Sequence, residues 1–192
     1  NNGKATDTSS ETTAAETLSP PAPAANSLFG VGYCKNENGV LNPITSYADL
    51  NTALFSLLYD GLFRLDESFS PANVLCDSIS WDGAAVTVKI KSGVSFHDGS
   101  ALTAADIIYS LDMAINNENS VYKSRLSVIK EFSAVDNHTV SLTLSSQRNS
   151  IASLLTFPII KKNTGLSNDA VGCGRYKIVE SDDVLYLVPN TS

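Results

Sequence analysis

The sequence predicts a mixed α/β fold, and three stretches carry the prediction. Val86–Ile90 alternates apolar and polar side chains, the period of a strand with one buried face. Thr103 is followed at the right spacing by Asp106, a capping-box pair, and Ile107, Ile108, Leu111 and Ile115 then fall on one face of a helix. Ile129–Val135 and Thr139–Leu144 alternate again around Asp136-Asn137-His138, which has the composition of a hairpin turn.

Residues 1–26 are Ser, Thr, Ala, Pro, Glu and Asp with almost nothing to bury, so they are expected to be disordered. Within them Thr17–Pro23 reads as a stiff, extended linker. Ser27–Cys34 is expected to form a first strand, loosened by Gly30 and Gly32, and Lys35–Gly39 a polar turn. Asp49 is placed to cap a helix whose apolar side is Leu50, Ala53, Leu54, Leu57 and Leu58, with Gly61 placed to end it. Asp77–Trp81 reads as a strand, Asp82-Gly83 as its hairpin turn, and Ala85–Lys91 as the returning strand. Trp81 is expected to be half-buried at the strand end.

Ser92-Gly93 breaks that strand, Val94–Phe96 is a short extended piece, and His97-Asp98-Gly99 has the composition of a tight turn. Beyond the Thr103 helix, Asn116–Asn119 reads as a loop and Tyr122–Leu126 as a helical turn. Asn149–Phe157 is expected to be a helix cut off by Pro158, and Val184–Val188 a last strand.

A chain of 192 residues can bury a core. Its formal charge of -7 argues against nucleic acid as a partner, because such binders present a basic face. No apolar run is long enough to span a bilayer. Cys34, Cys76 and Cys173 are scattered without metal-ligand spacing. They read as small buried apolar side chains, or as a disulfide plus one free thiol with the pair left open. His97 and His138, the two histidines, sit in turns beside Asp or Asn and read as turn hydrogen-bonding groups rather than ligands. No nucleophile-elbow, zinc-protease or phosphate-loop pattern is present. No enzyme activity, metal or cofactor is expected.

One run of residues goes further than local physics. Lys91-Ser92-Gly93-Val94-Ser95-Phe96-His97-Asp98-Gly99-Ser100-Ala101-Leu102-Thr103-Ala104-Ala105-Asp106-Ile107 resembles the signature of family 5 extracytoplasmic solute-binding proteins of ABC importers, which take up peptides, nickel and related solutes. Leu41-Asn42-Pro43, Tyr59-Asp60-Gly61-Leu62 and Gly172-Cys173-Gly174-Arg175-Tyr176 are similar to further hallmarks of that family. The last departs from it, with Cys for Thr and Arg for Pro.

The resemblance covers 27–190, well under half of a usual family member. It implies a periplasmic-binding-protein-like α/β fold of class II, extended group, with two lobes closing on the ligand. This chain would be a fragment, the N-terminal lobe with its inserted mixed α/β domain, and the opposite lobe would lie outside it. Its expected parts are a tether at 1–26, the leading strand and loop of the first lobe at 27–48, the inserted domain at 49–160 and the return strands at 161–192.

The function so implied is binding of a small solute, oligopeptides foremost, and delivery to membrane permease subunits. The alternative is a truncated, stand-alone interaction or sensory domain. The tether resembles that of lipoprotein members, anchored by a lipid to the outer face of the cell membrane (periplasmic if Gram-negative). By carry-over from peptide-binding members, the ligand-binding positions are Ser46, Tyr47, Ala48 and Asp49, then Gly172, Cys173 and Gly174. They would hold an extended ligand backbone through main-chain N–H and C=O groups.

Overall fold

The computed structural model describes residues 32–46, 49–181 and 184–191. The disordered tether expected at 1–26 lies outside them, as do Tyr47 and Ala48. At the centre is a four-stranded antiparallel sheet of β3 (Cys76–Asp82), β4 (Ala85–Ile90), β5 (Ile129–Asp136) and β6 (Thr139–Leu144), in the spatial order β3-β4-β6-β5. Two shorter strands precede it, β1 (Phe63–Leu65) and β2 (Pro71–Asn73), paired with each other. A last hairpin, β7 (Tyr176–Ser181) with β8 (Val184–Pro189), follows it.

The alternation read in the sequence sets the faces of the sheet. Val86, Val88 and Ile90 of β4 and Val140, Leu142 and Leu144 of β6 are buried, and the register places Val86 opposite Leu142 and Val88 opposite Val140. One turned face of a two-residue period therefore makes the core, and a one-residue slip would expose it. The β3–β4 turn carries Gly83 at φ 58°, a left-handed conformation that suits glycine. Gly99 at φ 81° closes the His97-Asp98-Gly99 turn, where Phe96 N–H donates to Ser100 O at 2.8 Å.

Helix α2 (Ala104–Asn116) buries Ile107, Leu111 and Ala114 with the sheet. Its start is the expected capping box. Asp106 Oδ2 accepts from Thr103 N at 2.9 Å and from Thr103 Oγ1 at 2.7 Å. Ile107 and Leu111 are fully buried, so truncating either to Ala removes about 2–5 kcal/mol. The remaining helices are α1 (Asp49–Leu58), α3 (Lys123–Leu126) and α4 (Ile151–Leu154).

Four expectations are corrected. The described part of the expected first strand, 32–34, pairs with no strand. Cys34 instead gives its N–H and C=O to the side chain of Asn51, at 2.8 and 2.6 Å. Gly61 does not end α1, which stops at Leu58. Its reason is space, because a Cβ there would stand 2.8 Å from Phe157 O. The helix expected over Asn149–Phe157 is a single turn, Ile151–Leu154. Trp81 is exposed rather than half-buried.

Candidate functional site

Helix α1 organises the candidate site. Its buried stripe is Asn51, Leu54 and Leu58, spaced to face the core on successive turns. Asp49 is its first residue and is exposed, its carboxylate in the first turn where the helix dipole favours negative charge. Ser46 lies just before it, with its N–H donating to Asn42 O at 3.2 Å and its Oγ accepting from Asn51 Nδ2 at 2.9 Å. The other expected site segment, Gly172–Gly174, packs on the far end of the helix. Gly174 N–H donates to Leu58 O at 2.9 Å. With a rise of 1.5 Å per residue, the two segments stand about 14 Å apart along α1.

Close approach explains both glycines. A Cβ on Gly172 would stand 2.1 Å from Leu58 O, and one on Gly174 would stand 2.5 Å from Leu57 O. On their other side is His97. Its backbone N–H donates to Gly172 O at 2.9 Å, and its Nε2 bonds to Gly174 O at 3.2 Å. A carbonyl only accepts, so Nε2 carries the proton. Gly174 O takes a second bond from Asn190 Nδ2 at 3.2 Å. Burial pushes the His97 imidazole below its ordinary value.

Cys173 between the glycines is buried, and its thiol is pushed up to about 12 by that burial. Cys76 is likewise buried and pushed up to about 11, while Cys34 is exposed. All three cysteines are free, which corrects the expectation of burial for Cys34. Near Cys173 lies Asp60, a half-buried carboxylate raised by burial and drawn down again by Arg175 first, then Arg64 and Lys91. Among the described residues no group of three His, Cys, Asp or Glu side chains is placed to hold a metal. Among them, too, no helix is long and apolar enough to cross a membrane.

The crossing from α4 to the last hairpin is tied to α2 by buried polar groups. Asp106 Oδ1 accepts from Lys162 N at 2.9 Å, and Ser110 Oγ donates to Ile160 O at 3.1 Å and accepts from Ile160 N at 2.9 Å. Lys161 and Asp98 form an ion pair on the same crossing. The candidate segment Gly172–Gly174 follows directly, so its placement depends on the capping box that the sequence displays.

The pattern of bacterial extracellular solute-binding proteins, family 5, middle region, matches residues 67–192, more than half of the chain. The chain belongs to this family.

Curated family 5 relatives include the glutathione-binding protein GsiB of Pectobacterium atrosepticum, 36% identical over 149 residues that make up 76% of this chain and 28% of that protein. GsiB of Escherichia coli K12 is 33% identical over 121 residues, 62% of this chain and 24% of the relative. The chain thus spans about a quarter of the length of these relatives. Among solved structures the fold is similar to oligopeptide-binding AppA of Bacillus subtilis in complex with a nonapeptide, with a TM-score of 0.68 and 24% identity over 84% of this chain and 35% of that one. It is also similar to NikZ of Campylobacter jejuni in complex with Ni(L-His), with a TM-score of 0.63 and 26% identity over 77% of this chain and 32% of that one. These are solute-binding proteins with the periplasmic-binding fold, and the partial coverage fits a fragment of a family 5 solute-binding protein.

Sequence reasoning passed over two residues that the structure makes central to the site. His97 was read as a turn residue, although its ring reaches Gly174. Asn51 carried no expectation at all, although it is fully buried and bonded to two segments. Their partners lie far away or out of register along the chain, so no local pattern marks them.

Proposed function

We propose that this chain is the N-terminal part of the extracytoplasmic solute-binding component of an ABC importer, and that its ligands are oligopeptides. The observation that carries the reading is the 36% identity over 149 residues with a glutathione-binding protein, glutathione being a small peptide. The fold shared with a nonapeptide-bound protein supports it. In this reading Ser46, Tyr47, Ala48 and Asp49 meet one end of an extended ligand and Gly172, Cys173 and Gly174 meet another point along it. A separation of about 14 Å corresponds to about four extended residues.

Gly172 O and both backbone groups of Gly174 are already engaged within the chain. The Gly172 N–H and the peptide groups of Cys173 are therefore the ones this segment would offer. Lobe closure buries the ligand by a hinge motion. In the same reading 27–48 and 161–192 belong to the first lobe and 49–160 to the inserted domain. Residues 1–26 tether the protein to a lipid on the outer face of the membrane, beside the permease subunits that receive the solute.

Calorimetric titration of the full-length protein from its own gene tests the reading. Glutathione, a nonapeptide and nickel-histidine, the solutes of the similar proteins, are the ligands to compare. Peptide binding is expected. Binding of nickel-histidine alone, or of none of these, overturns the peptide assignment.

A further inference from the structure

Asn51 occupies a position where the helix pattern calls for an apolar side chain. It shares the core stripe of α1 with Leu54 and Leu58, and it is 0% exposed. A buried amide costs stability unless its hydrogen-bonding capacity is met. Here it is met by two segments outside the helix. Oδ1 accepts from Cys34 N at 2.8 Å, and Nδ2 donates to Cys34 O at 2.6 Å and to Ser46 Oγ at 2.9 Å. Both bonds to Cys34 fall on one residue's N–H and C=O, the pairing an antiparallel strand would offer. The side chain thus takes the place of the missing strand partner and at the same time sets the rotamer of Ser46.

Both residues it holds face the same space. Cys34 and Ser46 line a cleft of about 430 Å³, shared with Asn42 and Asn119. Asn42 is itself buried and fixes the turn before Ser46, its Oδ1 accepting from Ile44 N at 2.8 Å and its Nδ2 donating to Gly165 O. The approach to the candidate ligand loop is therefore held by two buried amides, with Asn51 the one that reaches Ser46 directly.

We propose that Asn51 is a positioning residue for ligand binding, fixing Ser46 and the chain at Cys34 in the geometry that the ligand meets. This rests on the reading of the chain as part of a peptide-binding protein. A leucine at 51 would continue the apolar stripe and satisfy the core. The amide adds no packing that leucine lacks; it adds direction to Ser46 and Cys34.

The test uses the full-length protein with glutathione and a nine-residue peptide, the length bound by the similar AppA, as probes. Variants Asn51→Leu, Ser46→Ala and the double variant are titrated, and their urea midpoints measured. Asn51→Leu is expected to weaken binding at least about tenfold, the loss of one to two charge-free hydrogen bonds' worth of positioning, with a urea midpoint that falls only modestly because leucine packing offsets part of the lost bonds. Ser46→Ala is expected to weaken it several-fold alone and to add nothing to Asn51→Leu, because the two act through one bond. If Asn51→Leu fails to fold, Asn51→Gln takes its place, keeping the amide but displacing it from Cys34 and Ser46: weakened binding upholds the inference and wild-type binding overturns it. If the native protein binds a probe and Asn51→Leu binds it as tightly, the inference falls and the functional reading stands. If the native protein binds neither probe, both fall together.

Discussion

His97 Nε2–H donates to Gly174 O across 3.2 Å, and the same residue's backbone N–H reaches Gly172 O at 2.9 Å. A turn from the strand-and-helix unit thereby grips the candidate ligand segment at two points. The imidazole is held below its ordinary value of 6.5 chiefly by burial, with Lys177 of β7 acting the same way and the Gly174 bond and Asp98 opposing. A basic group depressed in the folded state is protonated first in the unfolded chain. Stability from His97 is therefore complete above pH 6.5 and declines as the pH falls below it. Urea midpoints at neutral and mildly acidic pH should draw closer together in His97→Gln than in the native chain. Equal spacing in the two proteins would refute the assignment.

Gly172 has no room for a side chain, with Leu58 O at 2.1 Å from where its Cβ would be. The obstacle is backbone, which does not rotate away. Gly172→Ala should cost about 3 kcal/mol in chemical denaturation, at the upper end for overpacking. Gly93, with nothing within 4 Å but φ 76°, is the comparison: Gly93→Asn should cost less than about 1 kcal/mol.

Asp106 is buried and accepts three hydrogen bonds, from Thr103 N, Thr103 Oγ1 and Lys162 N. Removing it strands those donors at both the helix start and the segment around Lys162. Asp106→Ala should lower stability by about 3 kcal/mol, read from thermal or urea unfolding. Asp106→Asn, which keeps one acceptor, should lose less.

The Asp98–Lys161 pair should matter little. Both side chains are well exposed, at 39% and 32%, so solvent screens the pair. Lys161 first, then Ser100, hold Asp98 down at about 2 from its ordinary 3.8. Its contribution is present above pH 3.8 and is lost as the pH falls towards 2. Lys161→Ala should change stability at neutral pH by less than about 1 kcal/mol, and high salt should shrink the difference.

Cysteine labelling separates the three thiols. Cys34 is exposed, whereas Cys76 and Cys173 are buried and raised to about 11 and about 12. A thiol reagent at neutral pH should modify one cysteine quickly in the native chain and all three in denaturant. Rapid native labelling of Cys173 would mean that the candidate ligand segment opens.

What the sequence discloses follows the range of the interactions. The β3–β4 and β5–β6 hairpins and the Thr103–Asp106 cap were legible because period, turn and cap are local. The three-residue strands β1 and β2 were not, being too short to show a period. Gly61 was taken for a helix stop because a glycine's need for space near Phe157 leaves no mark beside it. Asn51 carries no signal in the sequence, because its partners Cys34 and Ser46 lie on segments outside its helix. Tyr47 and Ala48, half of the first expected ligand segment, fall outside the described residues.

Helix α1 ends on Leu58 O, and the group that satisfies that oxygen is the N–H of Gly174. Most helices are closed by residues just beyond their last turn. Here the closing residue is made only after the whole central sheet and α2 have been synthesised. The sheet and its hairpins can form from neighbours in the chain, whereas the last turn of α1 waits on a long-range contact. The end of α1 therefore stays open until the chain has been made as far as Gly174.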